Sequence, residues 1–301
     1  MSEMEKAAEA AAEDVKDEKK KADAAWKDAT PELKKEIMDF AEGYMRFLDD
    51  AKTEREAVRT IVSMADAAGF RNINDTAELK PGDCVYGVNK NKSIYLAVIG
   101  KQPLTQGFNA VGAHIDAPRL DLKQNPLYED SGSLKTHYYG GIKKYQWTTV
   151  PLALHGVVAL TDGTVVDVKI GEDENDPVFL VTDLLPHLAA KQNAKKLAEG
   201  VPAENLNILI GSMPGEDADS DPVKTAILDI LKEKYGMEEE DFRSAEIEAV
   251  PAAKARSLGL DRSMVAAYGQ DDRVCAYPSF VALMDIAEAS EAPERTAVCI
   301  L

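Results

Sequence analysis

Ala113-His114-Ile115-Asp116-Ala117-Pro118-Arg119 closes a mostly apolar run, Phe108-Asn109-Ala110-Val111-Gly112. A short apolar run bounded by turn formers has the pattern of a buried strand. Pro118 and the charges after it predict that this strand ends near Asp116. Residues two apart on a strand share a face, so His114 and Asp116 are expected to point the same way. Strand ends are where sites form in open α/β sheets. A neutral imidazole binds metals, and a nearby carboxylate orients such a ligand or a base. Alone, His-x-Asp equally describes a surface His beside an acid.

Upstream, Thr30-Pro31 has the form of an N-cap followed by Pro at the first helical position. Leu33, Ile37, Phe40, Ala41, Tyr44 and Leu48 follow at helical spacing. A second helix is expected after Thr53-Glu54-Arg55-Glu56, a capping box, with Val58, Ile61, Val62 and Ala65 on its apolar face and Gly69 closing it. Two strands, 84–88 and 94–99, flank a hairpin turn at Asn89-Lys90-Asn91-Lys92. Helices ahead of apolar strands indicate an α/β layer fold. Residues 1–28 are rich in Ala, Glu, Lys and Asp and read as a charged, solvated helical leader with Trp26 near its end.

Downstream the character changes. Leu120, Leu122 and Leu127-Tyr128 lead into Thr136-His137-Tyr138-Tyr139. Strands 154–160 and 164–168 flank Asp162-Gly163, a strong hairpin signal. Residues 178–181 and 207–210 read as short strands, 187–197 as a helical piece carrying His187, and 222–235 as a helix with Ala226, Ile227, Ile230 and Leu231 inward. The acidic run 238–241 reads as a solvated loop. A helix opening at Gln270-Asp271-Asp272-Arg273 and a buried strand over 296–301 return to α/β character. The expected division is a first catalytic part over 29–123, an inserted β-rich domain over 124–258, and a second catalytic part over 259–301.

The 301 residues suggest about two domains, and a hydrophobic content of 45% is enough for a core. A net charge of −18 argues against nucleic acid and anionic membrane surfaces as partners. No apolar run is long enough to span a bilayer, and no secretory h-region is visible. Cys84, Cys275 and Cys299 are few and widely spaced, which fits reduced thiols in a cytoplasm.

Asp271 and Asp272 admit two readings. They are simple acids at a helix N-terminus, or one of them bridges two divalent ions beside His114, as part of a hydrolytic site. Gly-x-Ser-x-Gly, His-Glu-x-x-His and phosphate-cradling glycine loops are absent.

Four segments then stand out together: 113–120, Tyr139-Gly140-Gly141-Ile142, Leu185-Pro186-His187-Leu188 and Gln270-Asp271-Asp272-Arg273. Their order resembles that of the aspartyl aminopeptidase family of zinc metallopeptidases, in its bacterial members, from the first capped helix to Leu301. The resemblance implies an α/β/α sandwich catalytic domain, incomplete at its C-terminal side, with an inserted β-rich dimerisation domain. It implies an aminopeptidase with two zinc ions in the complete enzyme, removing N-terminal residues, acidic ones in many members, from peptides. His114 then matches a zinc ligand, Asp116 the catalytic carboxylate that orients that His, and Asp271 the carboxylate bridging both ions, with the Asp271–Asp272 bond cis. His187 matches a substrate-side His that reaches the neighbouring subunit's site. Family members build closed tetrahedral dodecamers from homodimers.

In that family a Glu-Glu pair, base and ligand, follows the strand matching 296–301, and an Asp and a His ligand come later. This sequence stops at Leu301 without them. The expectation is the N-terminal portion of such an enzyme; the alternative is an inactive fragment or an assembly module.

Overall fold

The computed structural model describes residues 26–128, 131–215 and 220–301, so the charged leader lies outside the described residues as far as residue 25. Contacts divide the chain into residues 1–46 and 47–301. Helix α1 (Pro31–Asp50) starts in the first unit and ends in the second. Thr30 Oγ1 accepts from the Leu33 amide at 3.2 Å, the cap expected ahead of Pro31.

In the second unit, α2 (Glu54–Ala67) opens with the expected capping box, in which Thr53 and Glu56 satisfy each other's amides. Ala57, Val58, Ile61 and Ala65 form its buried face, and Gly69 at φ 84° ends it. A five-stranded sheet follows from β1 (Arg71–Asn72), β2 (Cys84–Asn89), β3 (Ser93–Val98), β4 (Asn109–Gly112) and the last strand, β14 (Ala297–Ile300), in the order β1-β2-β3-β14-β4. The turn between β2 and β3 has Lys90 and Asn91 both at positive φ, 52° and 56°, which suits the twist of a tight hairpin. β14 runs antiparallel to β3 and parallel to β4, with Cys299 fully buried between Leu96 and Val111 in register.

β4 stops at Gly112, four residues short of the expected end. Its ladder with β14 finishes at the Ile300–Gly112 pair and a last bond from the Ala113 amide to the Ile300 carbonyl. Residues 113–118 therefore leave the sheet, and the shared direction of His114 and Asp116 comes from a loop, not from strand alternation.

A second sheet of seven antiparallel strands contains β5 (Arg119–Leu127), β6 (Ser133–Tyr139), β7 (Leu152–Ala159), β8 (Val165–Ile170), β9 (Leu180–Val181), β10 (Ile208–Leu209) and β11 (Ala245–Pro251) in the order β8-β7-β11-β5-β6-β10-β9. Gly163 at φ 88° turns the hairpin between β7 and β8, as Asp162-Gly163 indicated. Leu120, Leu152, Leu206, Ile208 and Ala249 are fully buried in its core, and each such leucine or isoleucine stabilises the fold by about 1.5–3 kcal/mol.

The segment expected to be one helix from His187 to Leu197 is instead a turn at 186–188 and two single-turn helices, α3 (Ala190–Asn193) and α4 (Leu197–Gly200). Helix α5 (Pro222–Tyr235) has the expected limits, but Ile230 is exposed and Val223, Ile227, Leu228 and Leu231 form the packed face. The acidic run is only partly solvated: Asp241 is buried and accepts from the Glu238 amide at 2.8 Å. A small hairpin, β12 (Arg256–Leu258) and β13 (Met264–Ala266), precedes α6 (Gln270–Ala287). All three cysteines are free, and no helix among the described residues is long and apolar enough to cross a membrane.

Candidate metal centre

The 113–118 loop and the start of α6 meet at His114. Two acceptors face its Nδ1, the Asp116 carbonyl at 3.1 Å and Asp116 Oδ1 at 3.2 Å. Nδ1 therefore carries the proton and donates, and the lone pair of a neutral ring is left on Nε2. That nitrogen faces Asp271 Oδ1 at 3.2 Å. Two lone pairs facing each other require a cation between them, either a proton or a metal. Zinc bonded to nitrogen and oxygen at about 2.0–2.1 Å in tetrahedral geometry places two ligand atoms about 3.3 Å apart. The observed separation fits that edge. Among the described residues, however, no group of three or more His, Cys, Asp or Glu side chains converges on one point. The donors are of the right chemistry for zinc and short of a closed set.

Asp271 and Asp272 depart from helical dihedrals, at φ/ψ −89°/111° and −114°/29°, and the bond between them is cis. They are thus not ordinary acids of a first helical turn. The side chain of Asp271 is 92% exposed and that of His114 52%, so the pair is open to an ion or ligand from solvent.

The surroundings shift both His114 and Asp116. Burial alone would lower the His114 pKa; the carbonyl and carboxylate of Asp116 and the charge of Asp272 outweigh it and raise the value. Burial would raise Asp116, but the Tyr139 hydroxyl, the local backbone and His114 hold its carboxyl below the usual range. Tyr139 is raised in turn, chiefly by donating to Asp116.

Arginines support both sides of the pair. Arg119 is buried with its Nε 2.8 Å from Asp121 Oδ1 and ion pairs of 3.3 Å to Glu54 and Glu248. Burial, with Glu54 alongside, pushes the Glu248 carboxyl up to about 8. Arg273 follows the aspartates directly and is fully buried; its Nη2 donates to the Lys52 carbonyl at 3.0 Å. The guanidinium occupies the space beside Gly269, where a Cβ would lie 1.9 Å from Arg273 Nη1. The Lys52-Thr53-Glu54 turn is a common anchor. All three residues are buried, and Lys52 Nζ donates to the Pro251 and Ala253 carbonyls at 3.2 and 2.7 Å.

Of the four expected site residues, the structure brings together His114, Asp116 and Asp271. His187 sits on the exposed turn before α3, and among the described residues no hydrogen bond or ion pair joins it to the other three. A cavity of about 440 Å³ lined by Tyr128, Thr148, Asp183, Gln192, Lys195 and Asn207 contains none of the four. Tyr139, Arg119 and Arg273 had been noted only as parts of motifs. An Arg next to a candidate ligand is the signal that could have singled out the last two.

A family model described as Aminopeptidase I zinc metalloprotease (M18) matches residues 47–301. The chain is 51% identical over 284 residues to the probable M18 family aminopeptidase 1 of Clostridium acetobutylicum, across 92% of this chain and 60% of that protein. It is similar in structure to an M18 family aminopeptidase from Thermotoga maritima, with a TM-score of 0.84 and 45% identity over 91% of this chain and 59% of that one. For aminopeptidase I from Clostridium acetobutylicum the values are 0.83 and 50%, over 92% and 61%. The S. cerevisiae mApe1 dodecamer, at a TM-score of 0.65 and 17% identity over 88% and 60%, shares the fold. This chain belongs to the M18 family of aminopeptidases, as the four ordered segments indicated. It spans about 60% of the length of the curated relatives it matches.

Proposed function

We propose that this chain carries part of the centre of a zinc-dependent aminopeptidase that removes N-terminal residues, acidic ones among them, from peptides in the cytoplasm. The observation that carries this is the His114 Nε2–Asp271 Oδ1 pair, two residues 157 positions apart held 3.2 Å from each other with a proton fixed on the far ring nitrogen. His114 and Asp271 would hold zinc, with Asp271 bridging to a second ion. Zinc held there would supply Lewis acidity to a peptide carbonyl. Asp116 fixes the His114 tautomer and keeps the ligating nitrogen aimed at Asp271. His187, on its exposed turn, would meet substrate in a neighbouring subunit's site.

The same reading treats 29–123 and 259–301 as the catalytic part and 124–258 as an inserted dimerisation domain. The seven-stranded sheet, whose strands run from Arg119 to Pro251, supports that division. Homodimers would build a larger homo-oligomer; mApe1, which shares the fold, is a dodecamer. The extent of the seven-stranded sheet also suits a second reading, an assembly module without turnover.

Metal analysis of the purified full-length protein, with peptide hydrolysis before and after chelation, tests both. Zinc that is lost in His114→Ala, with hydrolysis abolished by chelator, supports the enzyme. His187→Ala should lower turnover and leave zinc in place. Hydrolysis indifferent to chelator overturns the zinc reading, and a protein with neither hydrolysis nor stoichiometric zinc selects the module.

A further inference from the structure

The Asp116 carboxylate is held from two sides. Its Oδ1 faces His114 Nδ1, and its Oδ2 accepts a 2.7 Å hydrogen bond from the Tyr139 hydroxyl. A carboxylate held through one oxygen turns about its terminal torsion, which is broad; one held through both does not. Tyr139 is the last residue of β6, and Arg119, the first of β5, is its cross-strand partner. The Arg119 guanidinium carbon lies 4.2 Å from the centre of the Tyr139 ring, a cation–π distance. Arg119 is itself fixed by Glu54, Asp121 and Glu248. Gly140, at φ 74°, lets the chain pass close over Pro118, where a Cβ would lie 3.2 Å from the proline Cγ. The end of β6 is thereby pressed against the loop that carries Asp116.

We propose that Tyr139, clamped by Arg119, is a positioning residue for the metal centre, acting through Asp116 on the aim of His114 Nε2. The first cross-strand pair of the seven-stranded sheet then sets ligand geometry in the same chain, a task separate from subunit assembly. The inference rests on the zinc reading above. A group that holds a ligand directly, as Asp116 holds His114, typically alters metal affinity about 10–100-fold when removed, and Tyr139 stands one step further back.

Tyr139→Phe in the full-length protein tests it, because the ring that Arg119 covers is kept and only the hydroxyl is lost. Zinc affinity is read by competition with a chromophoric chelator, geometry by the visible spectrum of the Co²⁺-substituted protein, and fold by thermal unfolding of the metal-free form. His114→Ala is the reference. The expected result is an affinity weaker by about 10-fold, the low end of the range for a direct partner, an altered Co²⁺ spectrum and an unchanged metal-free midpoint. Affinity and spectrum unchanged in Tyr139→Phe, with zinc lost in His114→Ala, overturns the positioning role and leaves the zinc reading standing. A metal-free midpoint that falls while the Co²⁺ spectrum stays the same reduces Tyr139 to a structural residue and also overturns it. No zinc binding by the unaltered protein overturns both.

Discussion

Replacing Gly269 by Ala should damage the fold and the candidate centre together. Gly269 sits at φ 76°, in the left-handed region that costs a residue with a Cβ about 1–2 kcal/mol. The added methyl would lie 1.9 Å from Arg273 Nη1 and 3.1 Å from Cζ, so the guanidinium must move. It is fully buried and bonded to the Lys52 carbonyl, and losing such a charge-assisted bond costs about 1.5–3 kcal/mol. The sum is about 2.5–5 kcal/mol, a large share of the roughly 5–15 kcal/mol that stabilises a typical domain. Gly69→Ala is the control. Its φ of 84° is similar, and nothing lies within 4 Å of its Cβ position, so only the backbone cost of about 1–2 kcal/mol applies. Urea unfolding midpoints of both variants give the comparison, and zinc content of folded Gly269→Ala reports on Asp271, two residues along. If Gly269→Ala is no more destabilising than Gly69→Ala, the guanidinium does not need that space and the account of Arg273 is wrong.

Thr53→Ala removes the acceptor for the Glu56 amide and should destabilise by about 0.5–2 kcal/mol, measured by denaturant titration; Thr53→Ser should restore most of it. A buried charge cluster predicts the pH response. His155 is fully buried between Glu56 at 2.8 Å and Glu172 at 3.4 Å, and Lys52 and Lys169 pair with Glu172. Burial disfavours charge on His155, but the two glutamates outweigh it and raise its pKa. Its contribution is therefore complete below the unfolded value of about 6.5 and is lost as pH climbs through the folded value. Burial is likewise outweighed at the glutamates, by His155 first: Glu56 is lowered and Glu172 falls to about 2. Their contribution is present above about pH 4.5 and lost as pH drops toward 2. Unfolding midpoints should thus fall as pH rises above about 6.5, and His155→Leu should flatten that fall; an unchanged slope refutes the assignment.

Local chemistry was legible where it acts locally. The Thr30–Pro31 start, the Thr53–Glu56 capping box and the Asp162–Gly163 turn are all where short-range rules place them. β5, β6 and β11 were not recognised. In β11, Glu246 and Glu248 alternate with Ile247 and Ala249, a period of two that could have identified the strand, but Glu248 is buried beside Arg119 and breaks the expected polar-out pattern. Burial of Arg119 and Arg273 was equally out of reach, since their partners come from distant strands and from a single turn before α2. Ile230 shows the limit of helical periodicity: the face of α5 that packs is rotated from the one the apolar residues suggest. The approach of His114 to Asp271 joins residues 157 positions apart; the residues offered it only as one of two readings of the aspartates, and the family resemblance singled it out.

The buried turn at Lys52, Thr53 and Glu54 also sets an order of events. It lies early in the chain, yet its partners arrive late: Pro251 and Ala253 are 199 and 201 positions downstream and Arg273 is 221. As the chain is synthesised, those polar groups stay hydrated until nearly the last described residues have emerged. Closing loops of that length is entropically unfavourable until both sheets are in place to reward it. His114, its Nδ1 already beside Asp116, is therefore without Asp271 until 157 further positions have been made. A chain that stalls or is cut between the two residues has no paired nitrogen and carboxylate to offer a cation.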